Sequence, residues 1–335
     1  MSAAIETFAE VDRRYDLKPL EAWHKEGFKV PQGVTSKGMM VAAGLDWEVA
    51  MGPVFVGADR MSAQAAENRY GVYRVSDGRV FATDVSSRYK LFQNWEGFQF
   101  FDRYVLDGVL NPETAGALFD GRQVFALYSM GEGTKVRGDR YLDYLLLTFG
   151  HHADTGASIT GRPTKVRVVC NNTLQWALGA DEALSFKIPH KGDIEAGLEA
   201  AHELLGITTA QQARMQEWLD ASVDVPVTVD IIEQVRNVVL SVDEVTHETS
   251  QRMRNKAATF TRIYREEQSF VGKNAYALIN AVTGYADHAQ QYNGTDDQKR
   301  DRKFAGIAGG ASQKAKAAGF RALTKATGGA VPLMA

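Results

Sequence analysis

The spacing of apolar positions changes near the middle of the chain. Up to residue 186 they fall in short β-favouring runs broken by Gly, Asp and Ser, and after Lys187 they recur every three or four residues. Between Val34 and Val85 the text reads as short strands separated by turns, MMVAAGLDWEVAMGPVFV and then NRYGVYRVSDGRVFATDVSS. In the second piece Tyr73, Val75, Val80 and Phe81 flank Ser76-Asp77-Gly78, and an Asp-Gly pair between such runs predicts a hairpin. From Trp95 to Leu110, Phe98, Phe101, Val105 and Leu106 stand at helical spacing, with Asn94 placed to cap the start.

Three β-type runs follow. They are VFALYSM after Gly121-Arg122-Gln123, VRGDRYLDYLLLTFGHH after a turn around Gly131 and Gly133, and TKVRVVCNNTLQWAL, in which a helix is expected to open near Asn171 or Asn172. Beyond Lys187 the pattern predicts helices over IEAGLEAAHELLG, over a stretch ending near Asp220, from Val227 past Asn255 to Tyr264, and from Lys273 to Gln290. Pro189 and Pro226 mark boundaries, and Asn293-Gly294 turns the chain into its last segment.

Runs of strands followed by runs of helices predict an α+β fold, an antiparallel β-meander core packed with helices and then a mostly α-helical C-terminal half. The expected division is an N-terminal extension over 1–33, a core domain over 34–186, a helical region over 187–297 and a basic tail over 298–335, whose order the sequence leaves open.

Composition narrows the class. With 335 residues, 44% of them hydrophobic and 24% charged, the chain can bury a sizeable core and is not a disordered or fibrous polymer. The single Cys170 excludes an intramolecular disulfide, and its neighbours Val168, Val169 and Leu174 suggest a buried thiol, so a cytoplasmic location is expected. Glu6, Glu10 and Asp12 leave no apolar stretch for a signal peptide near the start, and no run of 18 apolar residues suggests a membrane span.

The net charge of −3 hides an asymmetry. From Gln298 to Ala335 eight Lys or Arg face one acid, Asp301. Segregated cations of this kind suit either a polyanion contact or a solvated tail. The meander adds Lys135, Arg137, Arg140, Arg162, Lys165 and Arg167, and strand alternation sets Lys165 and Arg167 on one face opposite Val166 and Val168. Tyr128, Tyr141, Tyr144 and Phe149 are close in sequence, and cations with aromatics are what single-strand binding needs. The expected nucleic-acid contacts are therefore Lys135, Arg137, Arg140, Arg162, Lys165 and Arg167, with Lys299, Arg300, Arg302, Lys303, Lys314 and Lys316 adding attraction.

Other chemistry is weaker. No G-x-S-x-G elbow occurs, and Gly131-Glu132-Gly133-Thr134-Lys135 lacks the order of a phosphate loop. His151-His152 with Asp154 lacks a metal-binding spacing, so no cofactor is expected. The carboxylates Glu132, Asp139, Asp143 and Asp154, with His152, keep a metal-dependent nuclease open as an alternative, beside a structural protein that oligomerises through its helical half.

Three segments carry a resemblance: YKLFQNWEGFQFFDRYV with Gln93-Asn94, TAGALFDGRQVFAL with Gly116 and Gly121-Arg122, and TKVRVVCNNTLQWAL. Together with NAYALINAVTGYADH they resemble the phage/plasmid-like protein family, the domain of unknown function numbered 932, over roughly Arg69 to Arg321. The chain departs from the family's WHGLG-like opening, since Trp23-His24 continue as Lys25-Glu26-Gly27. The resemblance implies carriage by phages and plasmids and, by fold-level analogy, a single-stranded DNA binding or annealing protein that forms homo-oligomers.

Overall fold

The computed structural model describes residues 8–11, 13–15, 18–20, 28–151, 158–167, 172–175, 186–189, 212–242, 250–308 and 310–332. Cys170, Trp23-His24, His152, Asp154 and the segment expected as the helix IEAGLEAAHELLG lie outside these residues. The fold is α+β, with mostly antiparallel strands in the first half, the pair Phe8–Val11 and Phe28–Val30 being parallel, and with most of the helices in the second.

The strands before the meander are β1 (Phe8–Val11), β2 (Arg13–Tyr15), β3 (Lys18–Leu20) and β4 (Phe28–Val30). Next come helix α1 (Ser36–Ala42) and strands β5 (Val49–Val56), β6 (Gln64–Arg74) and β7 (Val80–Val85), which pair as a three-stranded antiparallel sheet in that order. The β6–β7 turn is the expected one. Gly78 has φ +70°, and Asp77 accepts from the backbone N–H of Arg79 at 3.1 Å and from Arg74 Nε at 2.9 Å. The reading of Met39-Met40-Val41 as a strand is overturned, because these residues lie in α1. Thr35 caps that helix by accepting from the Gly38 N–H at 3.0 Å, and Met39 and Met40 turn inward.

Helix α2 (Asn94–Leu106) is followed by β8 (Leu110–Leu118), β9 (Gln123–Val136), β10 (Asp139–Gly150), β11 (Ser158–Arg167), β12 (Asn172–Gln175) and β13 (Phe186–Pro189). The larger sheet has the order β12-β11-β10-β9-β8-β1-β4, with β13 also on β11, and so contains the expected meander. Three details of the sequence reading change. Residues 172–175 are strand rather than the start of a helix, paired antiparallel with 164–167 of β11. Asn94 is the first residue of α2 rather than its cap, and Gln93 N–H donates to Glu96 Oε2 at 2.6 Å instead. The chain does not turn at Gly131 and Gly133, which lie inside β9, but at Arg137-Gly138.

The helical half contains α3 (residues 212–223), α4 (Val229–Val239), α5 (Gln251–Val271), α6 (Ala275–Gly284) continuing into a π turn (Tyr285–Ala289), α7 (Asp296–Ala308) and α8 (Ala311–Ala326). Two compact units emerge. Unit 1 takes residues 1–131, 144–162 and 185–206, and unit 2 takes 132–143, 163–184 and 207–335. The continuous 34–186 domain of the sequence reading is thus divided, with the tip of the β9–β10 hairpin grouped with the helices.

In unit 1 the core is formed by Met39, Leu45, Phe92, Phe98, Phe101, Tyr128, Leu145, Leu147 and Phe149, among others. In unit 2, Val136 and Tyr141 join Trp218, Phe260, Tyr276, Ile279, Val282, Phe320 and Leu323. Segment 298–332, expected as a tail, supplies two of those core residues, so over α8 it is an integral part of the unit.

Candidate nucleic-acid interface

Helix α8 is built to show two faces. Ser312, Lys316, Gly319 and Leu323 follow the i, i+4, i+7, i+11 spacing and are buried, together with Phe320. Gly319 lets the helix approach its neighbours closely, for a Cβ there would stand 2.7 Å from Val239 Cγ2 and 3.0 Å from Val282 Cγ1. On the opposite side Lys314, Arg321 and Lys325 are exposed at the same spacing, with the small Ala318 between them. These three cations span about 16 Å of helix at 1.5 Å per residue. No acidic residue occurs on α8, and none of the three has an ion-pair partner among the described residues.

Lys316 is a different kind of cation. Its side chain is 0% exposed, and its Nζ lies 2.5 Å from Asp287 Oδ1 in the π turn. Ser312 Oγ donates to the same carboxylate at 2.9 Å. Burial pulls the Lys316 ammonium below its usual pKa while Asp287 opposes that shift. Lys316 therefore anchors α8 and is not a surface contact.

Lys165 is corrected in the same way. It was expected in an exposed stripe, yet its side chain is 0% exposed and donates to Asp143 Oδ1 at 2.6 Å and Thr134 Oγ1 at 2.8 Å. Burial lowers the Lys165 pKa, with Asp143 and Asp220 opposing, and burial raises that of Asp143, with Lys165 opposing. The aromatics expected to stack on bases also face inward, since Tyr128, Tyr141, Tyr144 and Phe149 are all buried.

The remaining expected contacts are distributed. Lys135 is exposed, and its carbonyl accepts from Gln216 Nε2 at 2.9 Å. Arg137 pairs with Asp224 at 3.2 Å, and Lys299 pairs with Asp296 at 3.0 Å. Arg140 is half-buried, Arg162 is half-buried and belongs to unit 1, and Lys303 is half-buried on α7. Arg302 donates to the Asn293 carbonyl. Arg167 lies opposite Asn172 in the β11–β12 register, and Arg300 lies on α7; their side chains are outside the described set.

The sequence reading placed the first part of α5 in a helix but passed over its charge. Its 21 residues hold Arg252, Arg254, Lys256, Arg262 and Arg265 against Glu266 and Glu267, while Phe260 and Tyr264 fix the buried face. Residues 251–326 as a whole hold 14 Lys or Arg and 6 Asp or Glu. The cationic run thus begins well before Gln298, and a charge count taken along α5 finds it.

Of the metal and nuclease candidates, His152, Asp154 and the side chain of Glu132 lie outside the described set, and His151, Asp139 and Asp143 lie within it. His151 is buried against Trp47, Phe81 and Phe149, with ring centroids 5.2, 5.6 and 6.0 Å away. Its Nε2 lies 2.9 Å from Asn94 Oδ1, and Asn94 Nδ2 donates to the Leu45 carbonyl at 2.9 Å. That donation fixes the amide so that Oδ1 faces the ring, which makes His151 Nε2 the protonated donor. Asp139 accepts from Tyr276 Oη at 2.9 Å, and Asp143 holds Lys165. Among the described residues no three His, Cys, Asp or Glu side chains are grouped to hold a metal ion. No helix among them is long and apolar enough to cross a membrane.

Comparison with known proteins gives one family. No curated protein and no solved structure matches the chain. A family model described as a domain of unknown function, DUF932, matches residues 83–306, from β7 to α7. That span covers the meander, the His151–Asn94 contact and α5, and it makes this chain a member of the DUF932 family.

Proposed function

We propose that this protein binds nucleic acid through phosphate contacts, without catalysing a reaction, as a single-stranded DNA binding or annealing protein of phage or plasmid DNA metabolism. The observation that carries the reading is the acid-free outer face of α8, where Lys314, Arg321 and Lys325 stand exposed and unpaired among the described residues. Cations held on a packed helix gain affinity by releasing counterions from a polyanion, and they lose no helix-ordering entropy on binding. Exposed Lys135 on the hairpin and the cations of α5 add to the attraction.

Fluorescence anisotropy of a labelled oligonucleotide, titrated at several salt concentrations, tests it. Replacing Lys314, Arg321 and Lys325 by Gln is expected to weaken binding and to reduce the salt slope by about 2, at roughly 0.7 per phosphate contact on a single strand. An unchanged slope would remove α8 from the interface. Absence of salt-dependent binding by the wild-type protein would end the reading.

A further inference from the structure

Strand β7 pairs with β6 at Tyr70, Val72 and Tyr73, so beyond Tyr70 the β5–β6 hairpin continues as two strands without a third. Past that point Phe55 stands opposite Ala65 and Val56 opposite Gln64, while residues 66–69 bulge against Val54 alone, with Asn68 at φ +56°. The connecting loop is fixed from within. Asp59 Oδ1 accepts from the Met61 N–H at 2.9 Å, the Ser62 N–H at 2.8 Å and Ser62 Oγ at 2.9 Å. Gly57 closes the loop tightly, since a Cβ there would stand 2.5 Å from Ala63 Cα. This internally bonded arm nevertheless turns Phe55, Val56 and Met61 to solvent, 61%, 67% and 97% exposed.

A two-stranded ribbon is marginal by itself and gains stability when a further layer covers it. From Pro53 to Ala66 the only charges are Asp59 and Arg60, which cancel, so a polyanion gains no net counterion release there. A bilayer would cover Met61 but draw Asp59 and Arg60 beside it out of water, at a cost. A second arm fits without either difficulty, because two neutral arms meet without repulsion. Opposite residues of an antiparallel pair share a face, so Phe55 and Ala65 set a large ring beside a small methyl. Two such faces related by a two-fold axis place each ring over the other's methyl, which makes the surface complementary to itself.

We propose that the Phe55–Ala65 face of this arm is a self-association surface through which two copies of the chain form a symmetric dimer. It stands independently of the nucleic-acid reading above. The arm offers about a dozen residues a side, against roughly 20–30 in an interface of ordinary size, so the dimer is reversible and dissociates in the micromolar range.

Sedimentation velocity of the full chain at about 1 to 100 μM, a range that brackets such a constant, tests it. A shift from monomer to dimer is expected, and it should persist at high salt because no charge pair holds the contact. Phe55→Asp is expected to weaken dimerisation about 30-fold or more, the effect of removing a central interface side chain. Ala65→Trp, which fills the hollow that receives the ring, should weaken it as strongly, while Phe55→Leu should retain it. Urea unfolding of each variant at low concentration should match wild type, since both positions are exposed, and this separates a lost dimer from a lost fold. A chain that stays monomeric throughout the range would overturn the proposal, as would a dimer indifferent to Phe55→Asp and Ala65→Trp. Binding of the monomer to phosphatidylcholine vesicles, lost in Phe55→Asp and unaccompanied by self-association, would assign the arm to a lipid surface and equally end it.

Discussion

At Lys165 two opposing effects meet on one ammonium. Removing it from water favours the neutral amine, and Asp143 at 2.6 Å favours the cation. Local sequence shows neither. Alternation along β11 gives Lys165 a face, but the acid that pairs with it lies 22 residues earlier on β10, and only the sheet register brings the two together. The pair makes a pH-dependent prediction. Lys165→Met removes the charge that holds the Asp143 pKa down, so burial raises that carboxyl further. A carboxyl whose folded pKa lies above its unfolded value of roughly 3.9 binds more protons when folded, so its stabilising share is present at low pH and is lost as pH rises through the folded pKa. Lys165→Met is therefore expected to be more destabilised at pH 7, by about 3 kcal/mol or more for a broken buried pair, than at pH 4. Urea unfolding at the two pH values checks this, and equal losses at both would refute it.

Elements were legible in the sequence where a strong local signal coincided with the tertiary demand, as in the Asp77-Gly78 turn and in α6 beginning after Asn274. They were missed where the signal and the demand diverged. Gly131 and Gly133 attract a turn assignment, yet β9 runs through both at φ +60° and +79°. At Gly133 the reason is close approach, since a Cβ would stand 2.1 Å from the Tyr141 carbonyl oxygen. The turn itself uses Arg137 at φ +46° and Gly138 at φ +90°, both positive as a two-residue type I′ connection requires. An arginine at the first position is a poor signal. Gly138 has open space around it, so Gly138→Ala is expected to cost only the left-handed backbone penalty, about 1–2 kcal/mol. Gly133→Ala is expected to cost clearly more, because the obstacle is backbone that cannot rotate away. Arg137→Asn should be neutral or stabilising, since Asn tolerates this conformation and the exposed pair with Asp224 contributes at most about 1 kcal/mol. Urea denaturation of the three variants orders them, and the hairpin account fails if Gly133→Ala proves the mildest.

Across the whole chain, the sequence shows where positive charge lies but not which cations are structural. Segment 298–335 reads as a basic tail because it is rich in Lys, Arg, Ala and Gly. Yet Phe320 packs on Trp218 with ring centroids 5.3 Å apart, and Leu323 is fully buried. Burial of each contributes roughly 1.5–3 kcal/mol. Leaving Asp287 buried without Lys316 costs about 3–5 kcal/mol more. Together these approach the net stability of an ordinary domain, about 5–15 kcal/mol. A chain ending at Gly310 is therefore expected to lose the cooperative folding of unit 2, seen as loss of near-ultraviolet circular dichroism and gain of dye binding to exposed apolar surface. The variant with Gln at 314, 321 and 325 should instead keep its unfolding free energy within about 1 kcal/mol of wild type, because it alters only exposed groups. The two changes thus separate the roles of one helix. Weak nucleic-acid binding after truncation reports lost structure, whereas weak binding in the surface variant reports lost phosphate contacts. If the truncated chain kept a native unfolding transition, α8 would be the dispensable tail its composition suggests, and the division of its cations into buried and exposed sets would have no energetic basis.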